Sequence, residues 1–320
     1  MSKSKQDILR LLKNDEYISG QSMADQLGIS RTSVWKSIKA LKAEGYQITS
    51  VPNKGHRLIA PPGYINQTAL EVLVEHSEVF GHIEYLQTVD STQNIAFKML
   101  DTYDGAFIVV SEEQTKGRGR FNRNWASPKQ RGLYISLVLR PNVPLTDIIR
   151  FNLFISLAIS KSIDETFNLS SGIKWPNDIY INNKKVCGFL TEVVSEGNAV
   201  NAVVCGIGIN IFNDAALSSL PRATSIEAEM AEGEGLDTDI FMKHLFRNLE
   251  HYYGLFLKHP FTAIRDEWKA KSIIFDKYLK ISETGDSFMA RALDIDEGGF
   301  LEVVDENGRL RRVISADIEL

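Results

Sequence analysis

Only two cysteines, Cys187 and Cys205, occur in the 320 residues. That is too few for a disulfide scaffold and suits a reducing cytoplasm. No uncharged run reaches the ~20 apolar residues that a bilayer-spanning helix needs. The greasiest stretch, residues 151–159, stops well short of that length. The first dozen residues lack the apolar segment of a secretory signal, and 9 prolines with 22 glycines exclude a low-complexity or collagenous chain. The remaining composition is ordinary for a globular protein, 43% hydrophobic and 24% charged. The expectation is a cytoplasmic protein of two or three domains with no membrane partner.

The net charge of −5 is unevenly spread: residues 1–60 carry ten basic against five acidic residues, so they hold +5 and the remainder −10. A basic module on an acidic protein suggests a local polyanion site, although an ordinary solvated basic face would give the same count.

Pattern separates the two readings. Residues 6–12 put Ile8, Leu9, Leu11 and Leu12 on one helical side, ending near Asn14-Asp15. A second helix over 21–27 places Met23, Ala24 and Leu27 together. Gly28 then supplies a turn, and Ser30 is placed to cap a third helix over 31–44. Val34, Ile38 and Leu41 face inward there, and Gly45 closes the helix. The outward side offers Arg31, Thr32, Ser33, Lys36, Lys39 and Lys42. A hairpin comes next, 46–51 and 56–59 about Pro52-Asn53-Lys54-Gly55, with Lys54 at its tip and Arg57 beyond. Helix, glycine turn, helix and wing form the arrangement of a major-groove reader. The predicted DNA-binding residues are Ser30, Arg31, Thr32, Ser33, Lys36, Lys39, Lys54 and Arg57. A small helical bundle for protein contacts is the alternative. Ala60-Pro61-Pro62-Gly63 ends this unit, giving a first domain over 1–62.

From Ile83 the pattern mixes strands and helices. Strands are expected at 83–86, 106–110 and 133–139, helices at 92–100 and 147–167, and a strand meander over 179–211. The fold class is therefore α+β and multidomain: a winged helix-turn-helix, then a mixed, mainly antiparallel sheet with helices over 63–272. Residues 273–320 are a third, small unit. Its short strands at 280–282, 288–293 and 300–304 turn at Gly285, Gly298-Gly299 and Asn307-Gly308, which reads as an SH3-like β-barrel.

Three strings in the middle do not read as core. Gly117-Arg118-Gly119-Arg120-Phe121-Asn122-Arg123-Asn124-Trp125 sets guanidinium forks among glycines that let the backbone approach an anion. It lacks the order of a Walker A loop, and a solvated basic loop or an RNA-binding patch would share its composition. Lys174-Trp175-Pro176-Asn177-Asp178 taken alone is a strand-entry turn. Lys185 opens the apolar run Val186-Cys187-Gly188-Phe189-Leu190, where a charge ordinarily marks a hairpin edge. Gly206-Ile207-Gly208-Ile209-Asn210 lacks the third glycine of a dinucleotide fingerprint and reads as a strand end. Cys187 and Cys205 lie in apolar strand-like runs and read as core residues.

Together, and in this order, these strings resemble the biotin protein ligase family, whose catalytic domain is of the class II synthetase type. With Asp90-Ser91-Thr92-Gln93 ahead of them and the winged helix in front, the chain is similar to the family's bifunctional form, ligase and repressor of biotin genes. The resemblance implies biotin and ATP as substrates and Mg²⁺ as cofactor. It also implies a biotin carboxyl carrier domain, operator DNA and a second copy of the chain as partners. It places Ser91, Thr92, Gln93 and Gln114 around biotin, whose ureido head presents one acceptor and two donors. It places Arg118, Gly119 and Arg120 in a loop over biotin and phosphate, and Lys185 on the biotin carboxylate and adenylate phosphate. The resemblance also implies that Trp125 packs on adenine, a plain core tryptophan being the alternative, that Arg123 meets the ATP phosphates, and that Lys174, Asn177 and Asn210 belong to the nucleotide side. Asp178 is the candidate metal ligand and joins Lys185, Arg118 and Arg120 in the catalytic set. The chain carries Ser315-Ala316-Asp317 where the family often has Ser-Gly-Glu. A sensor-repressor without catalysis and a lipoate–protein ligase are the competing classes. The three cations and the DNA-binding module, respectively, argue against them.

Overall fold

The computed structural model describes residues 3–14, 16–220, 222–283 and 286–319. Asp15 and Gly285, expected at a helix end and a turn, lie outside the described residues.

Three helices open the chain: α1 (Lys3–Leu12), α2 (Gly20–Leu27) and α3 (Arg31–Ala43). Ser19 and Ser30 cap α2 and α3, each accepting a hydrogen bond from the amide three residues on. Gly28 takes a left-handed φ of 64° between them. The hairpin β1 (Gln47–Val51) and β2 (Gly55–Ala60) completes the wing. Gly55 sits at φ 111°, where a Cβ would stand 2.2 Å from the Ile18 carbonyl oxygen, because β2 zips onto Ile18 through His56. Ile8, Leu9, Leu12, Met23, Val34, Ile38 and Leu41 form a core separate from the rest of the molecule.

Polar contacts join this module to the next helix, α4 (Gln67–Val74). Gln6 donates to Glu71, Arg10 pairs with Glu75, and Lys5 and Thr68 both meet Glu44. Tyr46 donates to Asn66, which also caps α4.

Next come β3 (Phe80–Val89), α5 (Thr92–Lys98), β4 (Ala106–Gln114), β5 (Gly132–Leu139) and α6 (Ile148–Phe167). The strands β6 (Ser171–Lys174), β7 (Asp178–Ile181), β8 (Lys184–Glu196) and β9 (Ala199–Asn210) complete one seven-stranded sheet. Its order is β3-β4-β5-β9-β8-β7-β6, and only the β3–β4 pair is parallel. Short helices α7 (Ala215–Ser218) and α8 (Ile226–Glu229) precede α9 (Thr238–Lys258) and α10 (Arg265–Lys271).

Alternation along the strands decides where the site can lie. Ile108, Val110, Ile135, Leu137, Cys205, Ile207 and Ile209 face α6 and α9 in the main core. Phe107, Val109, Val138 and Val204 point the other way and pack on α5. Because α5 has only seven residues, much of that second face stays uncovered, and Gly206 and Gly208 belong to it.

The chain ends in β10 (Tyr278–Glu283), β11 (Asp286–Ile295), β12 (Leu301–Asp305), β13 (Leu310–Val313) and β14 (Asp317–Glu319). They form an antiparallel sheet in the order β13-β12-β11-β10-β14, consistent with a small barrel. Its core runs into that of the central sheet, and the buried Trp175 indole donates to the Gly299 carbonyl at 3.2 Å.

Sequence patterning did not resolve β6, β13, β14, α4, α9 or α10. The spacing of Phe241, Leu245, Leu249, Tyr252 and Phe256 carries the helical signal for α9. The string 174–178 is a strand-to-strand turn, β6 to β7, with a cis Trp175-Pro176 bond.

Candidate active site

The uncovered face of the sheet holds a cavity of about 430 Å³ between α5, the loop 117–125, the 174–178 turn and the start of β14. It collects every ligand-binding position predicted from the sequence and differs in chemistry from end to end.

At one end the groups are neutral. Ser91, Thr92 and Gln93 are buried at the start of α5. Gln114, the last residue of β4, accepts from the Thr92 amide at 2.8 Å and its hydroxyl at 3.1 Å, and donates to Ser127 at 2.9 Å. Ser136 in turn donates to Thr92. Gln93 donates to the Leu190 and Val204 carbonyls, which leaves its Oε1 over Gly206, 2.7 Å from where a Cβ would be. These amides and hydroxyls are locked by one another and suit a small polar head in an otherwise apolar slot.

At the other end the charges gather. Lys185 Nζ lies 2.6 Å from Asp178 Oδ1, across the β7–β8 pair, and 5.4 Å from the centre of the Trp125 ring. Arg120 donates to Asn177 Oδ1 at 3.1 Å, Ser315 Oγ at 2.8 Å and the Ala316 carbonyl at 3.3 Å. Burial lowers the Arg120 pKa against the opposing pull of Asp178 and Asp317. Lys174 is likewise lowered by burial, with Asp178 and Asp317 opposing, and donates to Tyr180 at 3.3 Å. Burial, aided by Asp178, pushes the Tyr180 phenol up to about 12. Asn177 is fixed by its bond to the Phe189 carbonyl, and Asn210 donates to the Thr224 carbonyl at 3.0 Å.

Between the two ends Trp125 lies on a floor of glycine. Gly188 and Gly208 face each other across β8 and β9. A Cβ at Gly208 would be 2.3 Å from the indole Nε1, and one at Gly188 would be 3.1 Å from Cζ3. The Nε1 is buried without a hydrogen-bond partner. Trp125 is thus a wall of the cavity rather than a core residue.

Two arginines of the loop hold carboxylates instead of pointing into open space: Arg118 pairs with Glu192 and Arg123 with Asp317. Phe121 and Asn122 carry the loop through left-handed φ values of 54° and 57°, and Phe121 lies exposed beside Arg120. Sequence reasoning missed the closing role of Ser315-Ala316-Asp317, Glu192, Tyr180 and Gly188. Their departure from the family string was visible for 315–317, but their partners are almost 200 residues away. Glu229 was missed too: it accepts from Thr224 at 2.6 Å and Asn182 at 2.7 Å and pairs with Lys184, so it ties the 222–224 segment alongside Lys185.

The predicted DNA-binding residues lie apart from the cavity. Arg31, Thr32, Lys36, Lys39 and Lys54 are exposed. Ser30 and Ser33 are bonded to each other as the α3 cap, which occupies the Ser30 hydroxyl. Arg57 stacks on Tyr17 at 5.2 Å. Among the described residues no group of three His, Cys, Asp or Glu side chains could hold a metal ion, and no helix is long and apolar enough to cross a membrane. Cys187 and Cys205 are fully buried and their thiols are pushed up by desolvation, which takes them out of nucleophilic chemistry.

The profile of the biotin/lipoate A/B protein ligase family matches residues 85–210, and that of an HTH domain matches 4–57. The bifunctional ligase/repressor BirA of Bacillus subtilis is 36% identical over 99% of this chain and 98% of its own length. That of Escherichia coli is 26% identical over 98% and 96%. The solved biotin protein ligase of Aquifex aeolicus, in complex with biotin and ATP, superposes with a TM-score of 0.63 at 26% identity. The match covers 75% of this chain and 98% of that one. Likeness over its full length, with both domain types present, makes the chain a member of the biotin protein ligase family in its bifunctional ligase/repressor form.

Proposed function

We propose that the chain makes biotinyl-5′-AMP from biotin and ATP, passes the biotinyl group to a lysine of a biotin carboxyl carrier domain, and, as an adenylate-bound dimer in the cytoplasm, represses biotin genes. The observation that carries this reading is the polarity of one cavity: a locked amide and hydroxyl end joined to a cationic end by an aromatic platform. The three functional units assigned to it are residues 1–62, 63–272 and 273–320.

The first step brings two anions together, the biotin carboxylate and the α-phosphate of ATP. Gln114, Thr92 and Gln93 hold the ureido head, so the carboxylate points toward Lys185. Lys185, Arg118 and Arg120 offset the repulsion and stabilise charge developing on the phosphoryl oxygens as the carboxylate oxygen attacks phosphorus. Pyrophosphate leaves, and Trp125 retains the adenine. In the second step the acceptor lysine amine attacks the acyl carbon, forming the amide and releasing AMP. No nucleophile of the chain is used.

Bound Mg²⁺ would offset triphosphate charge and orient the leaving pyrophosphate. Asp178 and Asn177 would provide one carboxylate and one amide oxygen to a cation that arrives on the nucleotide and keeps its phosphate and water ligands, once Lys185 and Arg120, which hold those oxygens here, turn to the phosphates.

The test is incubation with biotin, ATP, MgCl₂ and a purified carrier domain, reading acceptor mass and released pyrophosphate. One added biotin per acceptor is expected, with excess lipoate failing to replace biotin. A folded, biotin-binding protein that releases no pyrophosphate would leave a sensor-repressor instead.

A further inference from the structure

Helix α3 divides sharply into two faces. Val34, Ser37, Ile38 and Leu41 are buried. Arg31, Thr32, Trp35, Lys36, Lys39 and Lys42 are exposed on the other side. Cationic and hydroxyl side chains belong on a helix that meets phosphates, but the indole does not follow from that. Trp35 is 58% exposed, and among the described residues its one ring contact is Lys39 Nζ at 5.3 Å from the centroid. The core beneath is closed by Val34 and Ile38 without it. An unburied indole within a ring of cations marks a contact surface, and the surrounding charge fixes the partner as a polyanion.

We propose that Trp35 enters the major groove of operator DNA and reads a thymine by packing its indole face on the C5-methyl group. This rests on the proposed DNA-binding role of the N-terminal module. Trp35 lies one turn beyond Arg31 and Thr32 and one turn before Lys39, within the exposed stripe. When α3 occupies the groove, an exposed position in its N-terminal half meets base edges while Lys36, Lys39 and Lys42 beside it reach toward the phosphates. The thymine methyl is the apolar group that base pairs display in the major groove. Trp35 is the large apolar side chain that α3 exposes, so the two match in chemistry as well as in place.

Burying one methyl group is worth about a fourfold change in affinity. The full chain, with biotin, ATP and MgCl₂, first selects a duplex from a random library. Each thymine of that duplex is then replaced by uracil, which removes the methyl and keeps the pairing. One thymine per half-site is expected to lose about fourfold in affinity on replacement. In Trp35→Ala that penalty should vanish, and in Trp35→Phe part of it should remain, while equal thermal midpoints show that the module is folded. A uracil profile unchanged in Trp35→Ala would overturn the proposal, as would a wild-type profile flat at every thymine. Selection of no duplex by the wild-type chain would overturn the DNA-binding reading itself. Loss of self-association in Trp35→Ala, with the uracil profile kept, would assign the indole to a protein contact.

Discussion

Replacing Gly208 by alanine should weaken ATP binding without touching biotin, because one methyl group evicts Trp125. The added Cβ would stand 2.3 Å from the indole Nε1 and 2.5 Å from Cε2. Ordinary carbon contacts lie at about 3.5–4.0 Å, so the ring has to move by more than about 1 Å. Strand β9 cannot retreat, since β5 and β8 hold it on both sides. The ring sits on a loop and gives way instead. Losing an aromatic platform under a base costs about 1–3 kcal/mol, or about 5- to 150-fold. The KM for ATP, followed by pyrophosphate release, should therefore rise about tenfold or more. Biotin affinity, followed by calorimetry, should stay within about twofold, because Gln93 rests over Gly206, one pleat away, and Gln114 is anchored to Thr92 and Ser127. If the methyl acts through the indole, Gly208→Ala combined with Trp125→Ala should be no worse than Trp125→Ala alone. Penalties that multiply, or an unmoved KM for ATP, would refute the placement of adenine on Trp125.

Lys185→Met keeps an unbranched side chain, one atom shorter, and removes its charge; adenylate formation in a single turnover should fall by about 100-fold or more, and a loss under threefold would remove Lys185 from the catalytic set. Asp317 is opposed by burial, yet the Arg123 hydrogen bond and the charges of Arg123, Lys174 and Arg120 hold its pKa below the ordinary carboxylate range. A depressed folded pKa stabilises above the unfolded value, about 3.9, and the gain disappears as pH falls through the folded value. Asp317→Asn should thus lower the thermal midpoint at pH 7, and that difference should shrink as pH falls below the unfolded value and through the depressed folded one; with Arg123 64% exposed, the loss should stay under about 1 kcal/mol. A thiol reagent should label neither Cys187 nor Cys205 until the chain is unfolded, since both are fully buried; rapid labelling of the native protein would contradict that packing.

What the sequence disclosed and what it concealed divide by range. Ser30 capping α3 and Gly28 turning before it depend on neighbours three or four residues away, so both are legible in the string. The loop 117–125 is legible because arginines among glycines have no place in a core. The glycine floor was half visible: Gly206-Ile207-Gly208 could be read as a strand end, but its pairing with Gly188 exists only once β8 and β9 are in register. Strand β6 has four residues, Ser171–Lys174, too short for alternation to register. The pairs Arg123–Asp317 and Arg118–Glu192 span 194 and 74 positions, and no local pattern encodes them.

The same geometry limits how ligand and DNA can be coupled. The cavity lies on the face of the sheet opposite α6 and α9, whereas the N-terminal module touches α4 and, through Lys13 and Asp239, α9. That module has its own core, and its junction with the rest is polar, made of pairs that are individually weak when solvent reaches them. A ligand shifts an equilibrium only by contacts that differ between the two states. Biotin and adenylate would make theirs with Arg118, Arg120 and Arg123, releasing Glu192 and Asp317 at the cavity rim, and none with α1 or α3. If the proposed dimer forms at the ligand loop, coupling to DNA runs through that contact, since two copies present two recognition helices to a palindrome. Sedimentation should show biotin with ATP favouring the dimer, and Glu192→Gln, which frees Arg118 in advance, should shift the ligand-free chain in the same direction.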